Sequence, residues 1–231
     1  MTQKALIIGN SDGIGLAITK ALLAQNWYVF GVSKSHSKIS DKNHEAYIAP
    51  VQEDDFLKTL DSILHKVETV DLCIYCAGIG ELLDIKTFEN EELIFQVNLL
   101  GLVRTVTKIL PKMVQAGHGH FIGLSSVADD MLSSEAPSYH ASKAAFSNYL
   151  EGLALSLKSK GVHVTNMRFG FVDTKMAKGD AKPFMMSVER AKKHLLKCIS
   201  RKPIRYTAPK IVIPLVKFRS WMIRLKTFGE C

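Results

Sequence analysis

The segment Lys4-Ala5-Leu6-Ile7-Ile8-Gly9-Asn10-Ser11-Asp12-Gly13-Ile14-Gly15 joins a short apolar run to three glycines spaced G-x-x-x-G-x-G. Past it, Ile14, Ala17, Ile18, Ala21 and Leu22 recur at helical spacing through residues 13–25. The pattern is a buried strand, a tight turn and a helix. In such a turn, glycines let the backbone pass close to a pyrophosphate, while the helix N-terminus presents free N–H groups and the positive end of its dipole. Gly9, Ser11, Asp12, Gly13, Ile14 and Gly15 are therefore the expected dinucleotide-binding residues. The alternative is a glycine-rich turn that binds nothing.

The alternation continues outward. Strand signals fall at residues 27–33, 45–49, 70–76, 121–125 and 162–169, with a short extended piece near 204–207. Helical spacing falls at 54–66, 91–115, 139–160 and 188–200. Right-handed crossovers between such elements build a parallel sheet with helices on both faces. The expected fold is α/β: one Rossmann-type, doubly wound domain over residues 1–231, closed by a C-terminal amphipathic helix. No linker, repeat or low-complexity stretch divides it.

The acid that holds the adenosine ribose of NAD should follow the second strand, about 20 residues past the loop. Ser33 and Lys34 stand there instead, and Lys34, His36 and Lys38 can approach a 2′-phosphate. NADP(H) is thus expected over NAD(H), the alternative being an exposed basic loop that touches nothing.

A hydrophobic fraction of 47% with 23% charged residues is ordinary for a soluble globular protein able to bury a sizeable core. No apolar run reaches the roughly 18 residues of a spanning helix. Met1–Ile8 lacks the charged and long apolar regions of a secretory signal, so a cytoplasmic setting is expected. The net charge of +8 is concentrated at one end: from Arg201 on, eight basic residues face only Glu230. That distribution argues against a nucleic-acid binder and for something local. Cys73 and Cys76 form a C-x-x-C inside an apolar strand signal, where positions three apart face opposite sides of a sheet. They are expected to be core residues, and no metal site is expected.

Tyr139-His140-Ala141-Ser142-Lys143 places a tyrosine and a lysine at i and i+4, on one helix face. A lysine cation favours the phenolate and lowers the phenol pKa from about 10, so Tyr139 can exchange a proton with a carbonyl or alcohol oxygen. With the glycine loop, this pair resembles the short-chain dehydrogenase/reductase family, in its short single-domain branch, over residues 4–175. Ser126 stands at the family's spacing for its catalytic serine, and Asn98, in Gln96-Val97-Asn98, where the family carries its catalytic asparagine. Tyr75-Cys76-Ala77-Gly78 takes the place of N-N-A-G, and Phe169-Gly170-Phe171-Val172-Asp173-Thr174 that of P-G-x-V-x-T.

The resemblance implies that Ser126 polarises the substrate oxygen and that Lys143 also binds the nicotinamide ribose. It implies that Asn98 holds a water passing protons between Lys143 and solvent. Ser33, Lys34, Val51, Ala77, Gly78, Asn98, Tyr139, Lys143, Gly170, Val172 and Thr174 would complete the cofactor site. It also implies a homodimer or homotetramer, through the helices near 91–115 and 139–160. Ile8 and Cys76 depart from the family's threonine and asparagine, Pro50 from an aspartate near the adenine, and Phe169 from a proline. A looser adenine side and modest cofactor affinity are expected from these changes.

Residues 173–195 are expected to form a flap over the substrate, with Met176, Phe184, Met185 and Met186 among Lys175, Lys178, Lys182, Lys192 and Lys193. This mixture suits an apolar carbonyl compound bearing an anionic group, or merely a solvated flap. In the tail, 208–228, a helix over 214–228 gathers Leu215, Phe218, Trp221, Met222, Leu225 and Phe228 on one face. Lys217 and Arg224 border that face on one side, Arg219 and Lys226 on the other. Such a helix rests peripherally on an anionic membrane surface, caps a long-chain substrate, or packs on its own domain. The expected function is NADP(H)-dependent hydride transfer between nicotinamide and a small-molecule carbonyl or alcohol, possible substrates including lipid-like ones. The alternatives are a silent cofactor-binding sensor or scaffold, and an isomerase or dehydratase on the same fold.

Overall fold

The strand run Lys4–Ile8 (β1) is buried on both faces, and the helix after the glycine turn, Gly13–Leu23 (α1), covers one of them. The computed structural model describes residues 2–67, 69–176 and 184–228, the last three by backbone alone. Lys178, Lys182 and the side chains of Lys226 and Phe228 thus lie outside the described residues. Strands Tyr28–Ser33 (β2) and His44–Ile48 (β3) follow, then helix Asp55–Val67 (α2) and strand Leu72–Tyr75 (β4). After β4 come helices Glu91–Phe95 (α3) and Gly101–Ala116 (α4), strand Gly119–Ser126 (β5) and helix Pro137–Leu157 (α5). Strand Val162–Phe169 (β6), helix Val188–Arg201 (α6), strand Arg205–Ala208 (β7) and helix Val212–Phe228 (α7) complete the chain.

All seven strands are parallel, in the order β3-β2-β1-β4-β5-β6-β7. The order reverses between β1 and β4, and a ligand crevice opens at such a switch point, beyond the carboxyl ends of the strands. The glycine turn after β1 sits there. Alternating strand residues feed two cores. Leu6, Ile8, Phe30, Tyr75 and Phe121 pack with Phe56 and Leu60 of α2, Ile109 of α4 and Phe146 of α5. Ala5, Ile7, Val29, Ile74 and Ile122 pack with Ile18 and Leu22 of α1 and Leu195 of α6. Cys73 belongs to the first core and Cys76 packs against the second, as a spacing of three along an extended chain requires.

Four elements differ notably from their sequence signals. β4 is shorter than the run 70–76, and β5 is extended at both ends, to Gly119 and Ser126. The helix expected over 91–115 is interrupted: a π turn, Gln96–Leu100, separates α3 from α4. Counted together as Glu91–Ala116, that helix is long and apolar enough to cross a membrane, but half of its apolar window is buried in the domain. α7 begins two residues before the expected 214, and the face that packs is not the broad apolar one. Val212, Val216 and Ser220 are buried, whereas Leu215, Phe218, Trp221, Met222 and Leu225 point outward.

Candidate active site

The turn after β1 can be built only with glycine at key places. Gly9 has φ +88°, and a Cβ there would lie 2.7 Å from the backbone nitrogen of Ala77. At Gly15 a Cβ would fall 2.0 Å from the carbonyl oxygen of Gly9. The loop is therefore pressed against Ala77, and the two glycine-bearing segments form one floor. Asp12 caps α1: its Oδ1 accepts from the N–H of Gly13 at 2.8 Å. Its Oδ2 pairs with Lys175 at 2.8 Å. The Lys175 hydrogen bond and then the Gly13 N–H hold the Asp12 carboxyl below its ordinary range. Lys175 is thus a partner of the loop and not an uncommitted cation of the flap. Ile14 turns its side chain into the core shared by α1 and α6.

At the end of β2, Ser33 is buried and its Oγ donates to the carbonyl of Ser35 at 2.8 Å. Ser35 Oγ donates to Ser11 Oγ at 3.0 Å, tying this turn to the glycine loop. Lys34, His36 and Lys38 are exposed around it. Val51 is buried, and its carbonyl accepts from Arg104 at 3.2 Å. Its side chain fills the space over Gly101, where a Cβ would come within 2.7 Å of it. Thr174 reaches the loop from β6, its methyl 3.3 Å from where a Gly13 Cβ would stand. Gly170 hydrogen-bonds through its N–H to Ala208 at 2.9 Å, and Val172 forms a bridge with Met186. A cleft of about 430 Å³ runs between Gly13, α1, Thr174 and Val188.

The π turn places Asn98. Tyr75, fully buried at the end of β4, donates its hydroxyl to the carbonyl of Val97 at 2.6 Å. Gly101 permits this approach, since a Cβ there would lie 2.4 Å from the phenol oxygen. The buried Asn98 amide is then fully engaged: Oδ1 accepts from Ile79 N–H at 2.8 Å, and Nδ2 donates to the Ile79 carbonyl at 2.9 Å and to Ser142 Oγ at 3.0 Å. Its side chain clamps the segment after β4 to α5.

Lys143 is 4% exposed, and its Nζ donates to the carbonyl of Leu124 at 3.1 Å. It lies 5.9 Å from the Tyr139 ring centre. Burial pushes its pKa down to about 8, and the nearby charge of Asp129 opposes that. Tyr139 is half-buried beneath Gly80, where a Cβ would stand 3.2 Å from its ring. Burial raises its pKa, a hydrogen bond with Ser126 offsets part of the rise, and Asp129 adds to it. Desolvation of the phenolate, not the Lys143 cation, therefore sets the direction, opposite to the sequence expectation. Without a ligand, Tyr139 holds its proton at neutral pH. Ser126 ends β5, and its Oγ accepts from Ala128 N–H at 3.2 Å, starting the 3-10 turn Val127–Asp130.

Spacing alone does not disclose the group behind this row. Ser125 Oγ meets Ser147 Oγ at 2.8 Å, Ser147 donates to Asp129, and the buried Arg168 pairs with Asp129 and Asp130. Tyr75, Ser142, Asp129 and Arg168 were not legible as site residues, because their partners lie up to 44 positions away. The fit to a dinucleotide is favourable: the glycines at 9, 13, 15 and 78 leave the backbone of the floor without side chains, and at Gly78 a Cβ would stand 3.7 Å from Lys143 Nζ.

A parallel sheet with a glycine loop at its switch point, and Tyr139, Lys143 and Ser126 grouped beyond β5, defines a dinucleotide-dependent oxidoreductase. The chain belongs to the short chain dehydrogenase family, which it matches over residues 3–183. It is 32% identical over 183 residues to an uncharacterized oxidoreductase of Staphylococcus haemolyticus, covering 74% of this chain and 79% of that protein. It is 28% identical over 186 residues to the 3-oxoacyl-acyl-carrier-protein reductase FabG of Escherichia coli, covering 75% of each. A short-chain dehydrogenase of Burkholderia cenocepacia, solved in complex with NADP, has the same fold. It superposes with a TM-score of 0.85 over 97% of both chains at 18% identity.

Proposed function

We propose that this protein is a cytoplasmic, NADP(H)-dependent carbonyl reductase or alcohol dehydrogenase acting on an apolar substrate. The observation that carries this reading is the convergence of Tyr139, Ser126 and Lys143 beside the glycine floor. A nicotinamide held over the glycine floor by Gly9, Gly78 and Lys143 would supply or accept the hydride. Ser126 holds the substrate oxygen, and Tyr139, protonated at rest, donates its proton to that oxygen as an alcohol forms. Lys143 then faces a phenolate and stabilises it, and Asp129 helps keep Lys143 charged. Asn98 keeps Ile79, and with it the floor at Gly78, in place against α5.

NADP(H) is favoured because no carboxylate stands at 33 or 34 to repel a 2′-phosphate, while Lys34 and Lys38 are exposed there. An apolar substrate is favoured because Leu82, Phe88, Leu132, Phe171, Met176 and Phe184 are exposed on segments beyond β4, β5 and β6. A dimer or tetramer through α3, α4 and α5 fits the exposed Leu93, Leu100 and Leu155.

Oxidation of NADPH and NADH, followed by absorbance against aldehydes and ketones from small to long-chain, tests the reading. NADPH oxidation is expected, falling by about 10²–10⁴-fold in Tyr139→Phe. Demonstrated cofactor binding with no turnover of either cofactor on any panel member would overturn it in favour of a sensor or an isomerase.

A further inference from the structure

α7 carries two faces with different surroundings. Val212, Val216 and Ser220, four residues apart, are buried on the side that packs against the turn Val127–Asp130. Opposite them, Leu215, Phe218, Trp221, Met222 and Leu225 are exposed, by 38% at Met222 and 61% at Phe218. On a helix of 3.6 residues per turn these five fall within an arc of about 120°. Lys217 and Arg224 border the arc on one edge and Arg219 on the other, and all three are exposed. The rings of Phe218 and Trp221 are neighbours, 6.1 Å apart.

Charge decides between the occupants this stripe could have. Residues 212–228 contain no acid, and from Arg201 onward Glu230 alone opposes eight basic residues. A second copy laid on the stripe would bring cationic edges against cationic edges. An anionic lipid surface meets both edges with opposite charge, and long cationic stems reach phosphates while aromatic side chains sink to the acyl boundary. The stripe also lies beside the substrate mouth. The turn under α7 directly follows Ser126, and His140, next to Tyr139, has its pKa lowered by burial and further by Arg219. Exposed Leu132, Phe171 and Met176 lie on the segments that follow β5 and β6.

We propose that the outward stripe of α7 is a docking surface for an anionic phospholipid bilayer. Docked this way, the mouth above Tyr139 opens at the lipid, so a membrane-dissolved carbonyl compound reaches it without crossing water; this consequence rests on the reductase reading. The docking itself does not.

The test uses the full chain and vesicles of phosphatidylcholine with and without phosphatidylglycerol. The chain has two tryptophans, and Trp27 is buried, so Trp27→Phe leaves Trp221 as the reporter. Expected are co-sedimentation and a blue-shifted Trp221 emission with the anionic vesicles only, weakening as salt rises. Lys217→Glu with Arg219→Glu should lower partitioning by about tenfold or more. Phe218→Ser, Trp221→Ser and Leu225→Ser together should abolish it, and circular dichroism should show both variants folded. No binding of the wild type to anionic vesicles at low salt overturns the proposal, as does binding that charge reversal leaves unchanged. A wild type that ignores vesicles but loses an oligomer in the triple-serine variant assigns the stripe to a second copy and also overturns it. Binding is read without cofactor and in Tyr139→Phe, so failure of the reductase reading and failure of docking are separately visible.

Discussion

Tyr139 and Lys143 are each pulled away from their charged forms by burial, so at rest both are biased toward neutrality. In the proposed reaction, proton transfer creates a phenolate that Lys143, itself near 8, can face as a cation. Lys34 makes the cofactor choice testable at the same scale. If it meets a 2′-phosphate, Lys34→Asp replaces attraction with like-charge repulsion. The ratio of kcat/KM for NADPH over NADH should then fall by about ten- to a hundredfold, with kcat on NADH little changed. Steady-state kinetics on both cofactors check this, and an unchanged ratio would place Lys34 outside the site. The pairing of Tyr139 with Lys143 was readable because a helix fixes i and i+4 on one face. The directions of their pKa shifts were not, since burial is a property of everything packed around them.

Among the elements, the interrupted helix shows what periodicity misses. Apolar spacing over 91–115 is helical throughout, and nothing in it marks the extra residue that a π turn absorbs. The turn is held from another element: Tyr75 of β4 bonds the Val97 carbonyl through the gap left by Gly101. Tyr75→Phe leaves that buried carbonyl without its donor and should cost about 1–3 kcal/mol, read by urea unfolding. Because Asn98 sits in the same turn and clamps Ile79 and Ser142, kcat should fall as well, with the fold intact by circular dichroism. Wild-type stability and turnover in this variant would show that the turn forms without the phenol.

Across the whole molecule, the buried His120 ties stability to pH on the acid side. His120 on β5 is 3% exposed, and its Nε2 lies 2.8 Å from Thr165 Oγ1 on β6. The Thr165 hydroxyl donates to the Pro203 carbonyl at 2.5 Å, so Nε2 carries the proton and donates. Burial, then the charge of Lys202, lowers the His120 pKa to about 3. An unfolded histidine protonates near 6.5, so acid loads the unfolded chain first. The His120 contribution is whole above about pH 6.5 and drains by about 1.4 kcal/mol per pH unit down to about 3. His44, His140, His163 and His194 are lowered in the same direction, burial being the first cause in each. Urea unfolding between pH 7 and 4 should show stability falling steeply, with a shallower fall in His120→Phe. Equal slopes in the two proteins would relocate the acid sensitivity to other groups.

The sequence by itself determined the alternation of strands and helices, the glycine turn at the end of β1, the Tyr139–Lys143 pair and the cationic tail. Each is written in local periods of two, 3.6 or a few residues, and local sterics enforce them wherever the chain goes. Only the tertiary structure decided that Asp12 takes Lys175, that Tyr75 holds the turn carrying Asn98, and that Arg168 and Asp129 meet behind Ser125. It also decided that α7 packs through Val212, Val216 and Ser220 and leaves its aromatic stripe outside. Helix geometry sorts side chains onto faces, but which face is buried depends on the surface that arrives from a distant part of the chain.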